Sequence, residues 1–153
     1  MSPRSLPEYP GSFGDHRDHR GGNGGGVETA DKRLLIVDDE PRLAEVVRRA
    51  ASALGYDARA TFSGEEFVTV FDEFRPTVVF LDMVMPDIDG YDLVTWLRDR
   101  KYTDRILVAS GHDEQYARQA EQFGSDCGLD VTFLHKPFRV DDLQKAITGV
   151  SVL

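Results

Sequence analysis

Hydrophobic positions along the chain alternate between two patterns. Short apolar runs at Leu34–Val37, Val78–Leu81, Ile106–Ala109 and Val131–Leu134 read as buried strands, each running into a polar residue. A weaker strand is expected at about Asp57–Thr61. Between the runs, apolar residues recur at helical spacing. Leu43, Val46, Val47, Ala50 and Leu54 form the face of a first helix, which opens at Pro41 and stops near Gly55. Phe67, Val70, Phe71 and Phe74 face inward from a second, opened by the capping box Ser63-Gly-Glu-Glu66 and ended by Pro76. Leu93, Val94 and Leu97 do so from a third, residues 90 to about 100, where Trp96 is either peripheral core or an exposed contact. Tyr116, Ala117, Ala120 and Phe123 give a thin face to a polar fourth helix, about 114–123. Leu143, Ala146 and Ile147 serve a fifth, about 140–149.

Five strands alternating with five helices predict an α/β fold, a doubly wound five-stranded parallel sheet with right-handed crossovers and five flanking helices. The expected strand order is flavodoxin-like, 2-1-3-4-5, with chemistry beyond the carboxyl ends of the strands. That order places the first strand beside the third. Asp38, Asp39 and Asp82 then meet at one sheet edge, and the fourth and fifth strands bring Ser110 and Lys136 to it.

Three carboxylates so close would raise one another's pKa values, and a divalent cation relieves the repulsion. Oxygen-only ligands suit Mg²⁺, with Asp38 and Asp39 as carriers and Asp82 as ligand and nucleophile together. A carboxylate attacking phosphorus gives an acyl phosphate. Lys136 offers an ammonium and Ser110 a hydroxyl to the phosphoryl oxygens. Singly, each residue has a plain structural role as a helix cap, turn former or surface lysine. Their convergence at the ends of four strands favours a site.

Composition adds limits. The chain has 153 residues, one domain's worth, with 41% hydrophobic and 29% charged residues. Its net charge of −9 argues against non-specific nucleic-acid binding. Residues 1–33 carry five basic and five acidic side chains, so the whole surplus lies on the remainder. Residues 1–30 are expected to be a disordered Gly/Pro-rich tail, and 31–153 the folded domain. His16 and His19 in the tail read as a solvated linker rather than a metal site. Cys127, the only cysteine, allows no intramolecular disulfide and reads as a small buried or half-buried hydrophobe. No apolar run approaches the roughly 18 residues of a membrane span, and no signal peptide opens the chain, so the cytoplasm is expected.

Residues 33–150 resemble the receiver domain of two-component response regulators. The matching stretches are Leu35-Ile-Val-Asp-Asp-Glu40, Leu81-Asp-Met-Val-Met-Pro-Asp-Ile-Asp-Gly90, Val108-Ala-Ser-Gly111 and Lys136-Pro137-Phe138. The resemblance implies that Asp82 accepts a phosphoryl group from a phosphohistidine on a sensor histidine kinase or histidine phosphotransfer protein. It implies that Asp38, Asp39, Asp82 and the Met83 carbonyl hold Mg²⁺, that Lys136 pairs with the phosphoryl group, and that Ser110 moves toward it. Phe133 matches the switch aromatic, and Lys136–Pro137 is expected to be cis. The domain is then not an enzyme beyond catalysing its own phosphorylation and dephosphorylation.

Val84 and His112 fall where the family varies the residues that set phosphoryl lifetime. Val84 cannot orient an attacking water, so slow self-hydrolysis is expected. Gly111 replaces the usual alanine. The connection from Gly124 to Phe133 is longer than usual, which extends the loop or helix near the signalling face. No effector domain follows the last helix, so output to an unknown downstream protein is expected to pass through protein contacts. Two other readings remain. One is a phosphorylation-independent adaptor with a receiver fold. The other is a phosphohydrolase of the haloacid dehalogenase type, which needs a second Asp where Val84 stands.

Overall fold

The structure, a computed structural model, describes residues 31–111 and 114–149. The tail over residues 1–30, with His16 and His19, and the expected lifetime residue His112 lie outside the described residues. The elements alternate as the hydrophobic pattern predicts. They are β1 (Arg33–Val37), α1 (Pro41–Ser52), β2 (Asp57–Thr61), α2 (Gly64–Phe74), β3 (Val78–Asp82), α3 (Gly90–Asp99), β4 (Arg105–Ser110), α4 (Glu114–Asp126), β5 (Asp130–His135) and α5 (Val140–Thr148). All pairings are parallel, in the order β2-β1-β3-β4-β5.

The pleat divides the apolar runs between two layers. Leu35, Val37, Val79, Leu81, Ile106 and Val108 pack under α2, α3 and α4. Leu34, Ile36, Val78, Phe80, Leu107 and Ala109 pack under α1 and α5. Burial on both faces is why β1 and β3 read as unbroken apolar runs. At the edge, β2 alternates exposed and part-buried positions until Thr61, which explains its weak signal.

Local signals start the first two helices as expected. Pro41 starts α1. The Ser63 hydroxyl accepts the Glu66 amide at 3.1 Å, and the Glu66 carboxylate accepts the Phe62 amide at 2.9 Å. Trp96 is core, packed edge-on against Phe67 and Phe71. Among the described residues no helix is long and apolar enough to cross a membrane.

Three details differ from expectation. The buried face of α1 is Ala44, Val47, Ala50 and Ala51, while Leu43 is half-buried and Val46 is 42% exposed. Small alanines let α1 lie close to the sheet, and this turns Leu43 and Val46 toward the carboxyl edge. Helix α4 continues to Asp126, so the long connection is absorbed as extra helix. Cys127 is exposed rather than buried, because it sits just past the last packed turn.

Candidate functional site

The carboxyl ends of β1, β3 and β4 deliver the acids and the hydroxyl to one place. Asp38 is fully buried, and its Oδ1 accepts the Glu40 amide at 2.9 Å. Its own amide donates to the Thr61 carbonyl at 3.2 Å, across to β2. Asp82 ends β3 and is 5% exposed, with Oδ1 accepting the Val84 amide at 3.3 Å. Asp39 is exposed, and the three carboxylates each offer an oxygen within 4.8 Å of the others. Lys136 Nζ lies 3.2 Å from Asp38 Oδ2 and 3.3 Å from Asp82 Oδ1. The Lys136 amide donates to the Ser110 carbonyl at 2.9 Å, and the Lys136–Pro137 bond is cis. Ser110 is buried at the end of β4. A cleft of about 780 Å³ opens here, bordered by Asp39, Asp82, Val84, Ser110 and Lys136, with Leu43, Val46 and Phe138 on its apolar side.

Burial, then the neighbouring Asp38, pushes the Asp82 carboxyl up to about 6. Burial also raises Asp38, against the opposing pull of the Glu40 amide and Lys136. One ammonium faces three carboxylates, so the pocket carries surplus negative charge on oxygen donors alone. That donor set fits a hard divalent cation such as Mg²⁺.

The loop after Asp82 is fastened at several points. Met83 is fully buried, its amide donates to the Ala109 carbonyl at 3.0 Å, and its carbonyl accepts the Gly90 amide at 3.0 Å. The Met83 carbonyl is therefore engaged in closing the loop, while Val84, 52% exposed, borders the cleft. A Cβ on Gly90 would stand 2.8 Å from Met83 Cα and 3.0 Å from the Asp82 carbonyl oxygen, so only glycine fits. Asp87 accepts the amides of Gly64 and Glu65 at the start of α2, both at 3.2 Å. Burial would raise the Asp87 carboxyl, and those amides outweigh it and leave it lowered. Asp89 caps α3 through the Asp92 amide at 3.0 Å and accepts the Tyr116 hydroxyl of α4 at 2.7 Å.

Sequence reasoning singled out neither Asp87, Asp89 nor Tyr116 as partners. The capping position of Asp89, just before Gly90, was the available signal. Nothing local pairs Asp87 with α2 or Tyr116 with Asp89. Phe133 does not border the cleft. It is half-buried on β5, with the Arg118 guanidinium 4.6 Å from its ring centroid and its amide donating to Glu121 at 3.2 Å.

Comparison with known proteins identifies the family and the fold. The family model of the response regulator receiver domain matches residues 34–148. The chain is 30% identical over 118 residues to the transcriptional regulatory protein TrcR of Mycobacterium tuberculosis, covering 77% of this chain and 44% of that protein. It is 35% identical over 121 residues to the positive alginate biosynthesis regulatory protein of Pseudomonas aeruginosa, covering 77% and 46%. The chain thus spans under half the length of these relatives. Among solved structures, a signal receiver domain from Bermanella marisrubri superposes with TM-score 0.68 at 31% identity, over 78% of this chain and 98% of that one. The chemotaxis protein CheY4 of Vibrio cholerae superposes with TM-score 0.68 at 25% identity, over 80% and 100%.

Proposed function

The chain belongs to the response regulator receiver domain family, and on that premise we propose that it is a phosphoacceptor in a His-Asp phosphorelay. The observation that carries this reading is Asp82, nearly buried at the end of β3 with Lys136 Nζ at 3.3 Å and Asp38 and Asp39 beside it. The donor is a phosphohistidine on a sensor histidine kinase or histidine phosphotransfer protein. An Asp82 carboxylate oxygen attacks phosphorus, the P–N bond breaks, and the imidazole keeps the electron pair and takes up a proton. The product is an acyl phosphate on Asp82 and a neutral histidine on the donor.

Asp38, Asp39 and Asp82 would hold Mg²⁺, with a main-chain carbonyl from the loop. Val84 suits that last role better than Met83, because Met83 is buried and its carbonyl already takes the Gly90 amide. When bound, the ion offsets the carboxylates and polarises the phosphoryl oxygens. Lys136, held between Asp38 and Asp82, would pair with the new phosphoryl group. Ser110 would donate its hydroxyl to a phosphoryl oxygen, and Phe133 would answer by changing its packing against α4. Val84 presents no polar group to an attacking water, so the acyl phosphate is expected to be long-lived. Output would pass by protein contacts to a downstream partner, in the cytoplasm with the donor.

Incubation with acetyl phosphate and Mg²⁺ tests this by intact mass. The expected result is a single phosphoryl adduct in the wild type and none in Asp82→Asn. An adduct that persists in Asp82→Asn, or no adduct in the wild type, sinks the reading. A half-life of seconds would refute the slow hydrolysis.

A further inference from the structure

The end of the sheet opposite Asp82 has a cleft of its own. A cavity of about 660 Å³ lies at the amino ends of β1, β3 and β4, where α2 and α3 finish. Four cationic side chains line it, Arg33, Arg75, Arg100 and Lys101, against two carboxylates, Asp72 and Asp104. This local surplus of positive charge stands in a chain of net charge −9.

Two of the four cations have structural duties. Arg33 Nε donates to the carbonyls of Phe74 and Arg75 at 2.9 and 2.7 Å, and Arg100 pairs with Asp72. Among the described residues, the side chains of Arg75 and Lys101 have no such partner. These two are also the only described non-glycine residues with positive φ, at 54° and 60°. Arg75 caps α2, and Lys101 follows Arg100, the cap of α3. A left-handed residue at a helix end is usually glycine or asparagine, and a longer side chain there costs about 1 kcal/mol. Both helices that finish at this cleft therefore end in a residue the backbone disfavours, and both times it is a cation. A favourable interaction with the helix dipole needs a cation somewhere in the last turn, not one at the left-handed position. Strained backbone positions cluster at active sites, ligand clamps and switch regions.

Phe71, Pro76 and Tyr102 give the cleft an apolar part beside Thr77 and Thr103, and the Tyr102 hydroxyl donates to the Pro76 carbonyl at 3.1 Å. The volume is that of a small-molecule site and far exceeds what a bare phosphate needs. We propose that this cleft binds a small organic phosphate. Its phosphate dianion sits between Arg75 and Lys101, and its ring or chain lies on the Phe71–Pro76–Tyr102 wall. A guanidinium and an ammonium lining one cleft from the ends of two helices suit a tetrahedral dianion.

NMR titration of the full chain at low ionic strength with EDTA present tests this, using AMP, inorganic phosphate and adenosine. AMP is expected to shift the amides of residues 75, 77 and 101–104 saturably, inorganic phosphate to do so more weakly, and adenosine not at all. The double variant Arg75→Gly, Lys101→Gly relieves both left-handed positions and is expected to melt no lower than the wild type. Its AMP affinity should fall at least about tenfold with the loss of two charge-assisted contacts. Asp82→Asn should leave AMP affinity unchanged, since the two sites are at opposite ends of the sheet. No saturable shift at this cleft with AMP or phosphate, adenosine binding as well as AMP, or unchanged AMP affinity in the double variant would each overturn the proposal.

Discussion

The Tyr116 hydroxyl donates a 2.7 Å hydrogen bond to Asp89 Oδ2, tying α4 to the loop that follows Asp82. The same carboxylate caps α3, and the Tyr116 ring stacks on Tyr91 with centroids 5.8 Å apart. Burial and the Asp89 carboxylate both push the phenol's pKa upward, so the hydroxyl stays a donor. Loss of a hydrogen bond to a charged group costs about 2 kcal/mol. Tyr116→Phe should lower unfolding free energy by that order in urea melts. Asp89→Ala should cost roughly 1 kcal/mol more, because it also removes the α3 cap. Equal losses in the two variants would count against the shared role of Asp89.

Metal-free stability should depend on Asp82 with a definite sign. Its pKa rises from 3.8 to about 6 on folding. Between those values the folded protein holds a proton that the unfolded chain has released. Stability therefore falls as pH rises through that window, and the penalty is fully present above it. Its order is a few kcal/mol. Asp82→Asn should raise the melting temperature at about pH 7.5 in EDTA, and the gain should shrink toward about pH 4.5. A gain that does not change with pH would show that charge is not its source.

The fold and the cluster of acids were legible because each depends on local signals that add up. Val78–Leu81 is apolar throughout because β3 is covered on both faces, and its position beside β1 follows from the alternation of elements. Once that order is set, Asp38, Asp39, Asp82, Ser110 and Lys136 have no other edge to occupy. What stayed hidden depends on tertiary placement. Val46 has helical spacing with Val47 and Ala50, yet Ala44 and Ala51 take the core side because small side chains pack closer to the sheet. Asp87 reaches α2 across 23 residues, and Tyr116 reaches Asp89 across 27. Nor was the close approach of Gly124 to Val131 legible, where a Cβ would run into the Val131 side chain and α4 runs on to Asp126.

Mg²⁺ should raise the melting temperature of the wild type at neutral pH, by about 2.7 kcal/mol of stability at a hundredfold excess over Kd. Asp38→Asn and Asp39→Asn should each blunt that rise in thermal melts with and without the ion. Asp39 is the more telling variant, because it is exposed and its removal disturbs little else. An undiminished Mg²⁺ shift in Asp39→Asn would remove it from the ligand set.

Gly90→Ala should be costly out of proportion to one methyl group. The added carbon meets Met83 Cα at 2.8 Å and the Asp82 carbonyl oxygen at 3.0 Å, both backbone atoms that cannot swing aside. Displacing them strains the turn closed by the Gly90 amide on Met83, at about 2 kcal/mol or more. Urea melts should show that loss, and the Mg²⁺-induced stabilisation should shrink with it. A Gly90→Ala protein with native stability would mean that the loop is looser than its contacts indicate.

Arg118 restrains the aromatic proposed as the switch. Its guanidinium lies over Phe133 at 4.6 Å and pairs with Glu114 and Glu121, each at 3.5 Å. Glu121 in turn accepts the Phe133 amide at 3.2 Å, so α4 holds both the ring and the main chain of β5 at this residue. If phosphorylation at Asp82 requires Phe133 to repack, this contact favours the unphosphorylated form. An exposed cation–π contact is worth about 0.5–1 kcal/mol. Removing it from one side of a two-state equilibrium raises a minor state roughly two- to fivefold. Arg118→Ala should therefore speed phosphorylation by acetyl phosphate by about that factor while changing global stability by no more than about 1 kcal/mol. Arg118→Lys, which keeps charge but loses the flat stacking group, should fall between. A rate in Arg118→Ala equal to or below that of the wild type would show that the ring is not what phosphorylation waits for.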